Sequence, residues 1–243
     1  MKKYLLTALV LFAAVPCGAE IKDIAAARAA LGSAAARERL EAIQYLAAER
    51  SDPAFEALSA HFPSEKDAYL RVQIVEALDV AGSTWAFACA QNAAGDQNQA
   101  VRQAAAAAVA QRAGDPEADN KLKTLAADPQ EPVRLTVVNS LSYQPGPSAA
   151  AIVGGMLEDK KETLRARRAA AKALSRMKTQ EADKHLAKHL ADSDPEIKAS
   201  AASRKPAKKS AAKPAAKPAV KPAAKKTAPA SGKPAQKLPA KKK

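Results

Sequence analysis

The sequence is dominated by a helical unit that recurs at a nearly constant interval. Its clearest copy is VRQAAAAAVAQRAG, residues 101–114, where an apolar residue precedes Arg102 and a large apolar residue follows eight positions after the first. The corresponding basic residues at positions 39, 71, 102, 134, 167 and 198 are 32, 31, 32, 33 and 31 residues apart. A regular period of this length is typical of stacked helical repeats, in which each unit contacts only its neighbours. The period therefore predicts a solenoid.

Each period between residues 20 and 202 divides into two helices. The first carries the basic residue, as in 99–112, and the second is shorter, as in 116–126. Further second helices are expected near 53–62, 83–92, 148–157 and 181–190, after a capping helix near 21–31. Gly and Pro separate the helices as stop and start signals. No stretch shows the sustained alternation of β-branched residues that indicates strands, so we expect an all-α solenoid of about five helix pairs.

The composition favours thin, closely packed layers over a thick core. Hydrophobic residues make up 47% of the chain, but many are Ala and only 4% of all residues are aromatic. In the clearest copy the apolar stripe consists of Ala104, Ala105, Ala108 and Val109. One helix cannot bury such a stripe alone, and stacking against the neighbouring copy covers it.

All of the net charge lies at the C-terminus. The formal net charge is +14, and residues 203–243 contain 13 Lys and one Arg without any acid. Residues 1–202 contain 25 basic and 25 acidic side chains. The tail is rich in Lys, Ala and Pro and cannot bury enough apolar area to offset the entropy of ordering, so we expect it to be disordered. The predicted polyanion-binding residues are Lys205, Lys208, Lys209, Lys213, Lys217, Lys221, Lys225, Lys226, Lys233, Lys237, Lys241, Lys242 and Lys243.

Residues 1–19 have the three parts of a secretory signal. A positive start is followed by an apolar run over 4–15 and by small residues up to Ala19. The run is too short for a stable membrane span, so we expect an exported protein of the periplasm or cell envelope, without an integral membrane span. Lipidation of Cys17 is an alternative to cleavage after Ala19, and Pro16 argues against it because such signals have Gly, Ala or Ser at that position. Cleavage would leave Cys89 alone, in an apolar helical run, where a buried small hydrophobe is expected.

Signatures of catalysis are nearly absent from the sequence. It contains no Gly-rich phosphate loop, no Cys-x-x-Cys pair and no Gly-x-Ser-x-Gly elbow. His185 and His189 have the i, i+4 spacing of zinc ligands, but His61 is far away in sequence and no third ligand is evident. We interpret the pair as solvated surface histidines, and Gly154-Gly155 as a place of close packing or of a weak helix rather than a phosphate site. The sequence therefore predicts no metal, no cofactor and no enzymatic activity.

The stretch VRQAAAAAVAQRAGDPEADNKLKTLAAD and its relatives resemble HEAT repeats of the short kind also found in phycobilisome lyase-like proteins. The resemblance covers about three quarters of the chain. In that family an Asp that opens the first helix and the Arg after it form a ladder between adjacent units. The resemblance implies this structural role for Arg39, Arg71, Arg102, Arg134 and Arg167, and for Asp96, Asp128 and Asp192, each of which stands six residues before a basic residue.

Two details of this ladder follow from the residues themselves. Before Arg167 the acidic position is occupied by Lys161, which predicts a break in the ladder at that copy. Asp is also a favourable N-cap, so Asp96 and Asp128 are expected to cap the helices that follow them.

These features together predict an interaction scaffold. The solenoid would bind a protein partner, and the tail would attach to acidic phospholipid, lipopolysaccharide or a wall polymer. The tail is also similar to the C-terminal tails of linker histones, which bind DNA by neutralising phosphates. A nucleic-acid-associated protein is therefore one alternative, and an enzyme of the bilin-lyase type, implied by the lyase-like resemblance, is another.

Overall fold

The computed structural model describes residues 21–82, 84–144 and 146–204. Over these residues the chain is all-helical, with twelve α-helices, one short 3-10 helix and no strand. The α-helices are α1 (Ile24–Ala30), α2 (Ala36–Glu49), α3 (Asp52–His61), α4 (Ala68–Ala81), α5 (Thr84–Ala93), α6 (Gln99–Ala110), α7 (Pro116–Ala126), α8 (Glu131–Leu141), α9 (Pro147–Glu158), α10 (Leu164–Arg176), α11 (Gln180–Ala187) and α12 (Pro195–Ser203). The predicted signal segment lies outside the described residues, as does the predicted tail beyond Arg204.

The predicted all-α solenoid of five helix pairs is confirmed. The Arg-bearing helices α2, α4, α6, α8, α10 and α12, here called ladder helices, pack against one another in that order. The companion helices α3, α5, α7, α9 and α11 form the second layer, each packed against the ladder helix of its own pair. Helix α1 covers the first pair and α12 covers the last. None of the described helices is long and apolar enough to cross a membrane.

Each repeat places one bulky residue at the same point of the core. Leu46, Leu78, Val109, Leu141 and Leu174 lie seven residues after their ladder arginines, and each is completely buried. Burial of a side chain of this size stabilises the fold by about 1.5–3 kcal/mol. Most other buried positions of α6 and α10 are Ala, and small side chains let the neighbouring helices approach closely.

Local sequence signals set the helix ends. Pro occupies the first turn of α3, α7, α8, α9 and α12, where its missing N–H is not needed. Gly82 ends α4 with φ of 62°, in the left-handed region that favours glycine. The predicted bounds of α7 match the structure, whereas α6 ends at Ala110 and α11 at Ala187, two and three residues earlier than expected.

Candidate functional site

Five arginines, one on each ladder helix from α2 to α10, reach the loop that precedes the next ladder helix. Arg71 donates from Nε and Nη2 to the two carboxylate oxygens of Asp96, at 2.7 and 2.9 Å. Arg102 makes the same fork with Asp128, at 2.7 and 3.0 Å. The remaining ion pairs of this series, here called the ladder, are Arg39–Glu65, Arg134–Glu162 and Arg167–Asp192.

The ladder loops at Glu65, Asp96 and Asp128 are bound from both sides. The carboxylate of Asp96 accepts from Arg71 on the preceding ladder helix, while its carbonyl oxygen accepts from Nη1 of Arg102 on the following one, at 2.9 Å. Asp96 Oδ1 also accepts the backbone N–H of Asn98 at 2.7 Å. Asp128 repeats this arrangement with Arg102, Arg134 and the N–H of Gln130. The ladder therefore fixes the loop as well as the two helices.

The expectation that Asp96 and Asp128 cap helices is wrong. The N-cap of α6 is Asn98, whose side chain accepts from the N–H of Ala100, and the N-cap of α8 is Gln130, which makes no side-chain capping bond. The two aspartates stand two residues earlier and close the turn that leads into the cap. Their carboxylates are directed toward the preceding arginine, so they are not available to the first turn of the helix.

The break expected before Arg167 is also not found. Glu162, one residue after Lys161, accepts from Nε and Nη2 of Arg134, both at 2.7 Å, and from the N–H of Thr163. The interval between Arg134 and Arg167 is one residue longer than that between Arg102 and Arg134, and the acid stands five residues before Arg167 instead of six. The next ion pair of the ladder is the one that lacks the bidentate geometry. There Arg167 makes a single contact of 3.3 Å with Asp192 and donates from Nε to the carbonyl of Leu157.

The ladder shifts the pKa of its acids downward. Burial alone would raise the pKa of Glu65, but hydrogen bonds from Arg39, from the N–H of Asp67 and from His61 outweigh it and lower that pKa to about 2. At Asp128, burial likewise would raise the pKa, but the hydrogen bonds from Arg102 and from the N–H of Gln130 outweigh it, so the pKa is lowered. The hydrogen bond from Arg134 is the main cause of the lowered pKa of Glu162. These carboxylates are therefore held in the ionised form.

Acid should unfold the solenoid by protonating these carboxylates. The pKa of Glu65 is about 2 in the folded chain against an ordinary value of 4.5, so its contribution is complete above pH 4.5 and is lost as the pH falls toward 2. This shift corresponds to about 3 kcal/mol. In urea unfolding followed by circular dichroism, we expect Glu65→Gln to be less stable than the wild type at pH 7 and to lose less stability between pH 5 and 2. Parallel pH profiles for the two proteins would contradict this prediction.

The interpretation of His185 and His189 as solvated surface residues is wrong. Their side chains are only 14% and 12% exposed. His185 Nδ1 lies 2.6 Å from Glu158 Oε1 on α9, and His189 Nδ1 lies 2.8 Å from Asp192 Oδ2. The bond of His185 depends on how α11 packs on α9, so the sequence alone does not reveal it, whereas that of His189 is a local i, i+3 contact. The described residues contain no group of three or more His, Cys, Asp or Glu side chains that could hold a metal ion.

Two other residues singled out in the sequence are packed in the core. Gly154 on α9 is buried, and a Cβ placed there would lie 2.3 Å from the His185 ring, so the close packing expected at this position is present. At Gly155 a Cβ would meet nothing within 4 Å. Cys89 is buried, and burial raises the pKa of its thiol to about 12, so it is neutral and unreactive at physiological pH.

Each ladder helix from α2 to α10 also has one mostly exposed stripe, at positions −2, +5 and +9 relative to its ladder arginine. These positions are seven and four residues apart, so they fall within about 20° of one line along a helix. The five stripes, here called the open face, consist of Arg37, Gln44 and Ala48; Tyr69, Glu76 and Val80; Ala100, Ala107 and Gln111; Pro132, Asn139 and Tyr143; and Arg165, Lys172 and Arg176.

The open face carries bulky side chains that packing does not explain. Tyr69, Val80 and Tyr143 are 59%, 74% and 76% exposed, and they are three of the five large hydrophobic residues exposed in the described part of the chain. Beside Val80, a groove of about 470 Å³ lies between α2 and α4 with Ala47 and Ala77 among its lining residues. This surface was not predicted from the sequence; its one periodic signal is that Val80 and Tyr143 both stand nine residues after a ladder arginine.

The lysines assigned to polyanion binding, Lys205 to Lys243, lie outside the described residues. Arg204, counted with the tail in the sequence, belongs to the folded part. Its guanidinium pairs with Asp183 on α11 and donates to the carbonyl of Met177. The ladder residues predicted from the sequence are all described, and each takes part in the ion pairs given above.

The repeat geometry agrees with the family comparison. A family model for HEAT repeats matches residues 56–142 and 122–204, which is more than half of the chain. The chain belongs to the HEAT-repeat family. No match to this HEAT-repeat chain was found among curated proteins.

Two solved structures illustrate the likeness of fold. The complex of CpcE and CpcF of phycocyanin lyase from Nostoc sp. matches with 23% identity and a TM-score of 0.51, over 76% of this chain and 77% of that chain. A designed armadillo repeat protein in complex with the peptide (KR)4 matches with 15% identity and a TM-score of 0.51, over 75% of this chain and 98% of that chain. At these identities the likeness concerns the fold alone.

Proposed function

We propose that this HEAT-repeat protein is a non-enzymatic scaffold, exported to the cell envelope, which binds a protein partner on its open face. The observation that carries the proposal is the concentration of exposed Tyr69, Val80 and Tyr143 on that face. Exposed bulky side chains that recur on one surface are typical of protein interaction sites. The designed armadillo protein with its bound peptide supports this use of a repeat solenoid.

The basic tail would attach the scaffold to an anionic surface or polymer of the envelope. Residues 205–243 contain 13 Lys and no acid, whereas residues 21–204 contain 24 acidic and 24 basic side chains. Each Lys near an anionic membrane contributes about 1 kcal/mol of attraction before screening by salt. Export is inferred from the basic start, apolar run and small residues of positions 1–19, which have the order of a secretory signal.

The tail proposal predicts a large difference in co-sedimentation between two forms of the protein. We expect the mature wild-type chain to sediment with vesicles containing acidic phospholipid and with wall sacculi at low salt. Replacement of all tail lysines by Gln, which keeps the length of the chain, should abolish that binding. Arg204 is kept in both forms because it pairs with Asp183. Binding of the wild type should also weaken steeply as the salt concentration rises, because it depends on screened charges.

Equal and salt-insensitive binding by both forms would contradict the tail proposal while leaving the scaffold proposal intact. Localisation of the full chain distinguishes the proposed exported scaffold from the nucleic-acid alternative, which predicts a cytoplasmic protein colocalised with DNA. The bilin-lyase alternative rests on the neighbouring lyase structure and predicts that the purified protein acquires a covalently bound or isomerised pigment when mixed with bilin.

A further inference from the structure

The open face is strongly polarised in charge along the stack. All three stripe positions of α10 are cations, namely Arg165, Lys172 and Arg176. The stripes of α6 and α8 carry no charge, and the stripe of α4 carries the acid Glu76. Residues 21–204 as a whole have no excess of positive charge, so this basic stripe is a local feature of the fifth repeat rather than a consequence of composition.

The repeat fold does not require cations at these positions. At the positions that correspond to Lys172 and Arg176, the four other ladder helices from α2 to α8 have Gln, Glu, Ala and Asn, and Ala, Val, Gln and Tyr. At the position of Arg165 the only other cation is Arg37 on α2, which pairs with Glu41. Two other basic residues of α10 have structural partners, since Arg167 pairs with Asp192 and Arg168 with Asp194. In contrast, no carboxylate of the described residues lies within 4.0 Å of Lys172 or Arg176, and Arg165 reaches only Glu131, at 3.6 Å. The charges of the basic stripe are therefore available to an anionic partner.

The neighbouring stripe indicates what kind of anion fits. On α8 and the turn after it, Asn139 and Tyr143 are exposed, and the next turn along the stack presents Gln111, whose Oε1 accepts from Gln144 Nε2 at 2.8 Å. Amide side chains can bind the backbone N–H and C=O groups of an extended chain, and a tyrosine ring can pack on its side chains. The adjacent guanidinium and ammonium groups would then pair with carboxylates, which Arg can bind in a bidentate manner.

A peptide matches this surface better than a membrane does. A planar layer of headgroups would contact several stripes at once, but those of α6 and α8 offer it no positive charge. Helix axes in contact are about 8–10 Å apart, so the stripes from α6 to α10 span roughly 20 Å. An extended peptide of about six to eight residues covers that distance.

We propose that the part of the open face formed by α8 and α10 binds an extended acidic segment of a protein partner, with its Asp or Glu side chains on Lys172 and Arg176. This inference rests on the proposed scaffold function and gives the chemical class of the partner. It differs from the tail proposal in that the binding groups are in the folded repeats.

The test uses the full mature chain and a fluorescein-labelled peptide in which Glu alternates with Ala and Tyr, followed by fluorescence anisotropy. We expect Lys172→Glu/Arg176→Glu to weaken binding by about tenfold or more, because two attractive contacts become repulsive. The matched control Lys121→Glu/Lys123→Glu makes a similar change of charge on companion helix α7. A second control, Lys241→Glu/Lys242→Glu, makes the same change in the tail. Both controls should bind within about twofold of the wild type if the site lies on the open face.

A photo-reactive group in the same peptide distinguishes the possible outcomes. Cross-links to α8 and α10 that disappear in Lys172→Glu/Arg176→Glu would support the proposal. Cross-links only to residues 205–243 would overturn the proposal. Equal cross-linking of the open face by a neutral peptide of Gln, Ala and Tyr would also overturn it, but the scaffold function would remain. If no peptide, acidic, neutral or basic, cross-links to any stripe of the open face, the proposed function fails as well. Loss of binding to anionic vesicles in the same variant would assign the stripe to a membrane surface and would also overturn the inference.

Discussion

Replacing Arg102 by Ala should lower the free energy of unfolding by about 3 kcal/mol. The side chains of Arg102 and Asp128 are 13% and 6% exposed. The substitution therefore leaves the nearly buried Asp128 carboxylate without the two hydrogen bonds that Arg102 donates to it. It also removes the donor to the carbonyl oxygens of Asp96 and Gln97. Losing a partner from such a pair costs far more than losing an exposed ion pair.

Urea unfolding followed by circular dichroism would measure this effect. Lys184→Ala, which removes the exposed i, i+3 pair with Glu181, is a matched control and should cost less than about 0.5 kcal/mol. The double variant Arg102→Met/Asp128→Leu should be more stable than the simple sum of the two single changes, because it leaves no unpaired charge in the loop. A loss for Arg102→Ala no larger than that for Lys184→Ala would mean that the ladder does not stabilise the stack.

Replacing Gly154 by Ala should destabilise the protein by about 2 kcal/mol, although Ala is the better helix former. The added Cβ would lie 2.3 to 2.5 Å from three atoms of the His185 ring, which itself is fixed through Glu158. The ring cannot move away without losing that hydrogen bond or separating α9 from α11. The expected cost is therefore one of overpacking, and it exceeds the gain in helix propensity.

Gly155 provides a control one residue away on the same helix. Gly155→Ala meets nothing within 4 Å and should stabilise the protein by about 0.5–1 kcal/mol, with thermal unfolding as the measurement. In the background of His185→Ala, the destabilising effect of Gly154→Ala should disappear, since the contact that opposes it has been removed. If Gly154→Ala and Gly155→Ala have the same effect in the wild-type background, the close contact with His185 does not limit the packing.

The sequence was most informative where one rule operates in every repeat. The interval between arginines predicted the number of helix pairs, and the large apolar residue after each arginine identified the core positions at Leu78, Val109 and Leu141. These features are periodic because each repeat meets nearly the same neighbours. Helix ends were predicted less closely, since the last turn of a helix depends on contacts that vary between copies.

The individual contacts of the site could be predicted only in part. Glu65 and Glu162 were missed as ladder acids because only Asp was expected, although each stands five or six residues before an arginine. The predicted solvent exposure of His185 was wrong, because its partners Gly154 and Glu158 are about thirty residues earlier and contact it only through the packing of α9 on α11. The open face was missed because the side of a ladder helix that faces solvent is set by the twist of the whole stack.

The ladder loop has a consequence for how the molecule can change in length. Because the loops at Glu65, Asp96 and Asp128 bind the arginine before them and the arginine after them, the units that these loops join present the same acceptor at one end and the same donor at the other. Duplication or loss of one unit in the middle of the chain would thus restore every pairing at the new junction. The reach of the binding surface could grow or shrink by whole modules during evolution, while Glu162 and Arg167 mark a junction where such an exchange would fit less well.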